Sequence, residues 1–212
     1  MGFMFLDIET YSSKSNPGSS LNPYEQESKI LVISYNYYEG FKPPRKENFK
    51  EPIFLKVWDS DEKEMLSGFY DLIKEIQRKD NYMKFVGFNI LKFDLPYLFG
   101  RMKLLGIANE KELYQMFFNK FNLDMYQLSS LISKETSKYE QLWPVNHKKT
   151  SEFLKLQIKE GEGIYCSEFY DKKEFDKILD YCSSEFNLEQ MFDSLYIHVL
   201  NLRTPKSPHQ KL

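Results

Sequence analysis

Three strand-like runs come before the first helical pattern in this chain, and that order limits the fold more than any other feature. Phe3 to Ile8 is a short apolar run suited to a central strand. Ile30 to Tyr37 and Ile53 to Trp58 follow, separated by segments rich in Ser, Asn, Gly, Pro and charge that read as loops. Such short links predict an antiparallel meander. The period then changes. Met65, Leu66, Phe69, Leu72, Ile73 and Ile76 recur at helical spacing between Ser60 and Lys79, with Ser60 or Asp61 placed to cap the start. Lys84 to Phe88 reads as a fourth strand and Asp94 to Leu105 as a second helix. Phe121 to Asp124 reads as a short fifth strand leading into a helix through Leu131. One long amphipathic helix is expected from Lys172 to about Leu202, while Ser133 to Gly163 carries no clear pattern. The order predicts a single α/β domain over residues 1–203, with a mixed five-stranded sheet flanked by helices and Phe3–Ile8 at its centre. The tail from 204 to 212 is expected to fray.

Composition removes several classes. The balance of 29 Lys+Arg against 31 Asp+Glu, net −2, argues against a polybasic protein but leaves a local basic face open. Two cysteines, Cys166 and Cys182, cannot make a four-thiolate zinc site or a disulfide scaffold for 212 residues. No apolar run is long enough to span a membrane, and the opening MGFMFLDIET reads as a strand rather than a signal peptide. An intracellular protein, cytoplasmic or nucleoid-associated, is the expectation, with a monomer as the simplest state.

The chemistry-bearing residues are acids. Asp7 and Glu9 lie two apart on the first strand, so both point to one face. Two carboxylates on an apolar strand are costly unless something cationic compensates; the plain alternative is that Glu9 already lies past the strand end. Asp94 sits at a helix start with Pro96 in the first turn, a position that dipole complementarity alone would explain. Tyr181 and Glu185, four apart, share one face of a helix.

Taken in order, FLDIET, FVGFNILKFDLPYL and YCSSE resemble the three exonuclease motifs of DEDDy 3′–5′ exonucleases, and most nearly those of the proofreading domain of family B DNA polymerases. The likeness extends to Ile30–Tyr35, Asp61–Ile76 and NLDMYQL, and is weakest from about 134 to 165. It implies an RNase H-like fold and hydrolysis of phosphodiester bonds from the 3′ end of nucleic acid, single-stranded DNA more than RNA. It also implies two divalent ions, Mg²⁺ or Mn²⁺, which prefer carboxylate oxygen. By the same resemblance Asp7 bridges both ions, Glu9 and Glu185 complete the first site, Asp94 serves the second, and Tyr181 orients the attacking water. There is one departure: the family's third motif ends in Asp, and here the acid is Glu185, one methylene longer.

Nucleic-acid contacts are expected in or beside these motifs, from Thr10, Tyr11, Asn89, Lys92, Phe93 and Tyr97. Aromatic rings stack on bases and lysines meet phosphates, although an aromatic beside an apolar helix is also what a core uses. Lys14, Lys148 and Lys149 could line a groove or simply face solvent, and His147, His198 and His209 show no ligand spacing. Two other readings stay open. One is a catalytically weak or inactive nucleic-acid-binding module on the same fold. The other is a restriction-endonuclease-like metal nuclease using the Glu27-Ser28-Lys29 tripeptide.

Overall fold

The structure is a computed structural model, and it describes residues 1–13, 21–132, 143–156 and 164–203. Five strands form one sheet: β1 (Gly2–Tyr11), β2 (Lys29–Glu39), β3 (Ile53–Lys56), β4 (Lys84–Gly87) and β5 (Leu123–Asp124). Their order is β3-β2-β1-β4-β5, with β1 central as expected. The first three strands are antiparallel, whereas β4 and β5 run parallel to β1. The helices are α1 (Glu62–Lys79), α2 (Asp94–Leu104), α3 (Glu110–Phe117), α4 (Met125–Leu128), α5 (His147–Leu154), α6 (Ile164–Asp171), α7 (Phe175–Glu185) and α8 (Leu188–Arg203).

Alternation along β1 divides the core. Met4, Leu6 and Ile8 enter the larger cluster, with Leu66, Phe69 and Ile73 of α1, Leu95 and Leu98 of α2, and Ile178 of α7. Phe3 and Phe5 point the other way, into a smaller cluster with Val86, Met125, Met191, Phe192 and Leu195. Helix α1 starts where the sequence suggests: the Asp61 carboxylate accepts the Glu64 N–H at 2.8 Å. A buried ion pair locks α1 to α2, with Arg101 Nε donating to Glu62 Oε1 at 2.9 Å. Arg101 also donates to the carbonyls of Pro23 and Glu25, and this holds the segment before β2 against both helices.

Three expectations need correction. The long C-terminal helix is two helices, α7 and α8, broken at Phe186 and Asn187, with Phe186 at ψ 64°. The reason is burial: Ile178, Tyr181 and Cys182 belong to the larger cluster, while Phe186, Leu188 and Met191 belong to the smaller one. A straight helix cannot bury residues on both sides of a sheet. The fifth strand is two residues long, and Phe121 before it is 72% exposed. Helix α3 was not anticipated, although Asn109 and Glu112 form a capping box at its start. The expected tail at 204–212 and the unpatterned stretches 133–142 and 157–163 lie outside the described residues.

Candidate active site

The acidic pair sits where β1 has left β4 but still pairs with β2. Asp7 pairs with Ser34 and Glu9 with Val32, so the two carboxylates share one sheet face. Asp7 is half-buried and Glu9 is 8% exposed. Between Glu9 and Thr10 the register shifts, and Leu31 of β2 is skipped. Such bulges re-aim side chains at the ends of strands. The ladder to β4 has already ended, its last partners being Phe5 and Val86.

Asp94 comes to this strand end from another element. It is the first residue of α2, and no side-chain hydrogen bond caps that helix. Its carboxylate instead accepts the Ile8 backbone N–H at 3.1 Å, across 86 residues of sequence. That bond places a buried acid, 3% exposed, against the backbone joining Asp7 and Glu9. Asp94 is thus engaged with β1 rather than with the N–H groups of its own helix.

The turn that delivers Asp94 is itself held. Asn89 adopts a left-handed conformation, φ 62°, uncommon for a residue with a side chain. Its N–H donates to Asp124 Oδ1 at 2.8 Å, and the Leu91 N–H donates to Asp124 Oδ2 at 3.2 Å. Sequence reasoning passed over Asp124. The available signal was an acid at the end of a short strand, directly before a helix.

Tyr181 lies on the inner face of α7, in the same cluster as Ile8 and Leu95, and is 7% exposed. Glu185 is the last residue of α7, and its side chain lies outside the described residues. Helix α6 is tied to the end of β1, and α7 to the turn that follows β3. Ser12 N–H donates to Ser167 Oγ at 2.9 Å, the Tyr11 hydroxyl donates to Asp171 at 2.8 Å, and Trp58 stacks on Phe175 at 4.6 Å.

The expected nucleic-acid contacts divide. Lys92 is exposed, and Thr10, Asn89 and Phe93 are half-buried, Phe93 packing on Tyr97 at 5.5 Å. Tyr97 is a correction: at 1% exposure it is a core residue with no ring face open to a base. Tyr11 has its hydroxyl on Asp171 and its ring against Tyr170 and the Lys29 ammonium. The hydrogen bond to Asp171 raises the hydroxyl above its ordinary pKa. The same placement removes support from the Glu27-Ser28-Lys29 reading, because the Lys29 ammonium lies over the Tyr11 and Tyr170 rings and a turn, not a helix, precedes β2.

Among the described residues no three His, Cys, Asp or Glu side chains form a group able to hold a metal ion. The donor chemistry nevertheless suits a hard divalent cation, since Asp7, Glu9 and Asp94 offer only carboxylate oxygen. Across from Asp7, the Ser34 hydroxyl is buried with no hydrogen-bond partner among the described residues. A closed site requires a further carboxylate, the role expected of Glu185. Among the described residues no helix is long and apolar enough to cross a membrane.

Comparison with known proteins agrees with this geometry. The sequence profile of the family described as DNA polymerase family B, exonuclease domain, matches residues 1–141. That span contains Asp7, Glu9 and Asp94 and stops before Tyr181 and Glu185. No curated protein matches the chain. Among solved structures, the family B DNA polymerase of the hyperthermophilic archaeon Pyrobaculum calidifontis is similar over 94% of this chain at 15% identity, with a TM-score of 0.61. The chain spans 24% of that polymerase. The mixed sheet with β1 at its centre is thus the RNase H-like fold of a polymerase exonuclease domain, and the chain belongs to the family of family B DNA polymerase exonuclease domains.

Proposed function

We propose that this chain is a metal-dependent 3′–5′ exonuclease acting on single-stranded 3′ ends, DNA in preference to RNA, and working as a monomer. The observation that supports the reading is the bond from Ile8 N–H to Asp94, which sets the acid of the second motif against the backbone between the two acids of the first. Asp7, Glu9, Asp94 and Glu185 would hold two ions, Mg²⁺ or Mn²⁺. When bound, these ions activate water and neutralise charge on the scissile phosphate and the leaving 3′-oxygen. Tyr181, on the inner face of α7, would position the water by a hydrogen bond. Lys92 would meet phosphate and Phe93 would stack on a base, with Thr10 and Asn89 lining the same end of the sheet.

Glu185 shapes the expected behaviour. A longer acid with one more rotatable bond loses more freedom on binding a metal. Mg²⁺, which demands near-ideal octahedral geometry, should suffer more from this than Mn²⁺. Digestion of 5′-labelled single-stranded DNA and RNA with each ion tests the proposal. Laddering from the 3′ end, faster with Mn²⁺ and much weaker in Glu185→Gln, is the expected result. Internal cuts in circular single strands would overturn it. A second reading, a binding module without activity, is favoured by Glu185 standing where the family's third motif has Asp. Tight single-strand binding with no mononucleotide release under either ion would establish that reading instead.

A further inference from the structure

We propose that Asp124, which no exonuclease motif includes, is a positioning residue that sets where Asp94 meets β1. The proposal rests on the exonuclease reading above for its consequence, but its geometry is independent of that reading. Asp124 ends β5, is 6% exposed, and accepts three backbone N–H groups. One is Tyr126 N–H at 2.9 Å, an ordinary cap of α4. The other two belong to a different element: Asn89 N–H at 2.8 Å and Leu91 N–H at 3.2 Å, one on each carboxylate oxygen. A capping residue needs only the first bond. The other two clamp the turn between β4 and α2.

That turn is continuous with the start of α2. The Asn89 carbonyl accepts both Lys92 and Phe93 N–H at 3.1 Å, and the Ile90 carbonyl accepts Leu95 N–H at 3.1 Å. Asp94 lies between these bonded residues and reaches Ile8 N–H from there. Asn89 holds φ 62°, a conformation costly for a non-glycine residue unless its surroundings fix it. The chain of contacts therefore runs from Asp124 through the Asn89–Leu91 backbone to Asp94 and on to the strand between Asp7 and Glu9. In this role Asp124 acts through the backbone it holds.

Asp124→Asn is the discriminating change. The amide oxygen can still serve Asn89 and Tyr126, but the amide nitrogen would face the Leu91 N–H, donor against donor. Asp124→Ser keeps a cap oxygen for Tyr126 and cannot reach both turn amides, so it serves should the Asn variant fail to fold. Two readouts apply to the full chain: hydrogen exchange of the Ile8 amide without metal, and Mn²⁺ affinity by electron paramagnetic resonance. The expected result is faster Ile8 exchange and Mn²⁺ affinity lower by roughly 10–100-fold, the usual range for residues that orient metal ligands. Unchanged Ile8 exchange in a folded variant would overturn the proposal and leave Asp124 as a cap alone. Wild-type protein that binds no Mn²⁺ would instead overturn the exonuclease reading, while Ile8 exchange still decides the role of Asp124.

Discussion

The two faces of β1 share one backbone and part ways chemically. Met4, Leu6 and Ile8 stay apolar to the strand's end and belong to a cluster built with residues of α1, α2, α3, α6 and α7. On the opposite face Phe3 and Phe5 are apolar, and Asp7 and Glu9 are acidic. The larger face carries the burden of folding, which frees the last third of the smaller face for groups that weaken a core. The smaller face also holds buried polar residues: Ser34 lies across from Asp7, and Asn36 of β2 donates to Glu189 of α8. Removing an acid from one face and an apolar group from the other should therefore have opposite signatures.

The largest effect is expected from Asp7→Ala. If the acids act as proposed, nuclease turnover should fall by roughly 10³-fold or more, as when a group that stabilises charge at the reacting centre is removed. The melting temperature should hold or rise, because like charges at the strand end no longer repel. Near-wild-type turnover would break the comparison at its functional end. Leu6→Ala, one position away on the larger face, should do the reverse. A fully buried leucine truncated to alanine costs about 2–5 kcal/mol, read in a urea titration, while turnover per folded molecule stays close to wild type. Asp61→Ala, at the start of the helix covering that face, should cost about 1 kcal/mol by losing the bond to Glu64 N–H, with no effect on turnover.

The strand pattern and both acid motifs were legible because each rests on local chemistry. Period-two burial in β1, helical spacing in α1 and a carboxylate pair two residues apart can all be read within ten residues. What failed depended on tertiary context. The break at Phe186 follows from which cluster each flanking apolar residue enters, and continuous amphipathicity hides that choice. Tyr97 looked like an exposed aromatic beside a motif, yet its place on α2 turns it inward. Asp124 shows in sequence only as a cap for α4; its other two partners are backbone N–H groups 33 and 35 residues away, which no side-chain pattern records.

The smallest effect, and the one that most sharpens the contrast between faces, concerns Glu189 on α8. Its carboxylate is 4% exposed and accepts both Asn36 Nδ2 at 2.7 Å and the Tyr38 hydroxyl at 2.8 Å. Burial raises its pKa above the ordinary 4.5, and the bonds from Tyr38 and Asn36 and the charge of Lys50 only partly offset this. An acid whose folded pKa lies above its unfolded one binds more protons folded than unfolded in the interval between the two. Its contribution to stability is thus greatest below the unfolded value and declines as pH rises through the folded value. Glu189→Gln keeps a carbonyl oxygen for both donors and removes the charge. It should be neutral to stabilising at pH 7, by less than about 1 kcal/mol, and the difference between variant and wild type should shrink as pH falls toward 4. Urea titrations of both proteins from pH 4 to 8 provide the curve. A difference that stays constant across that range would mean Glu189 folds without a desolvated charge. The smaller face would then tolerate its buried acids for reasons of hydrogen bonding alone.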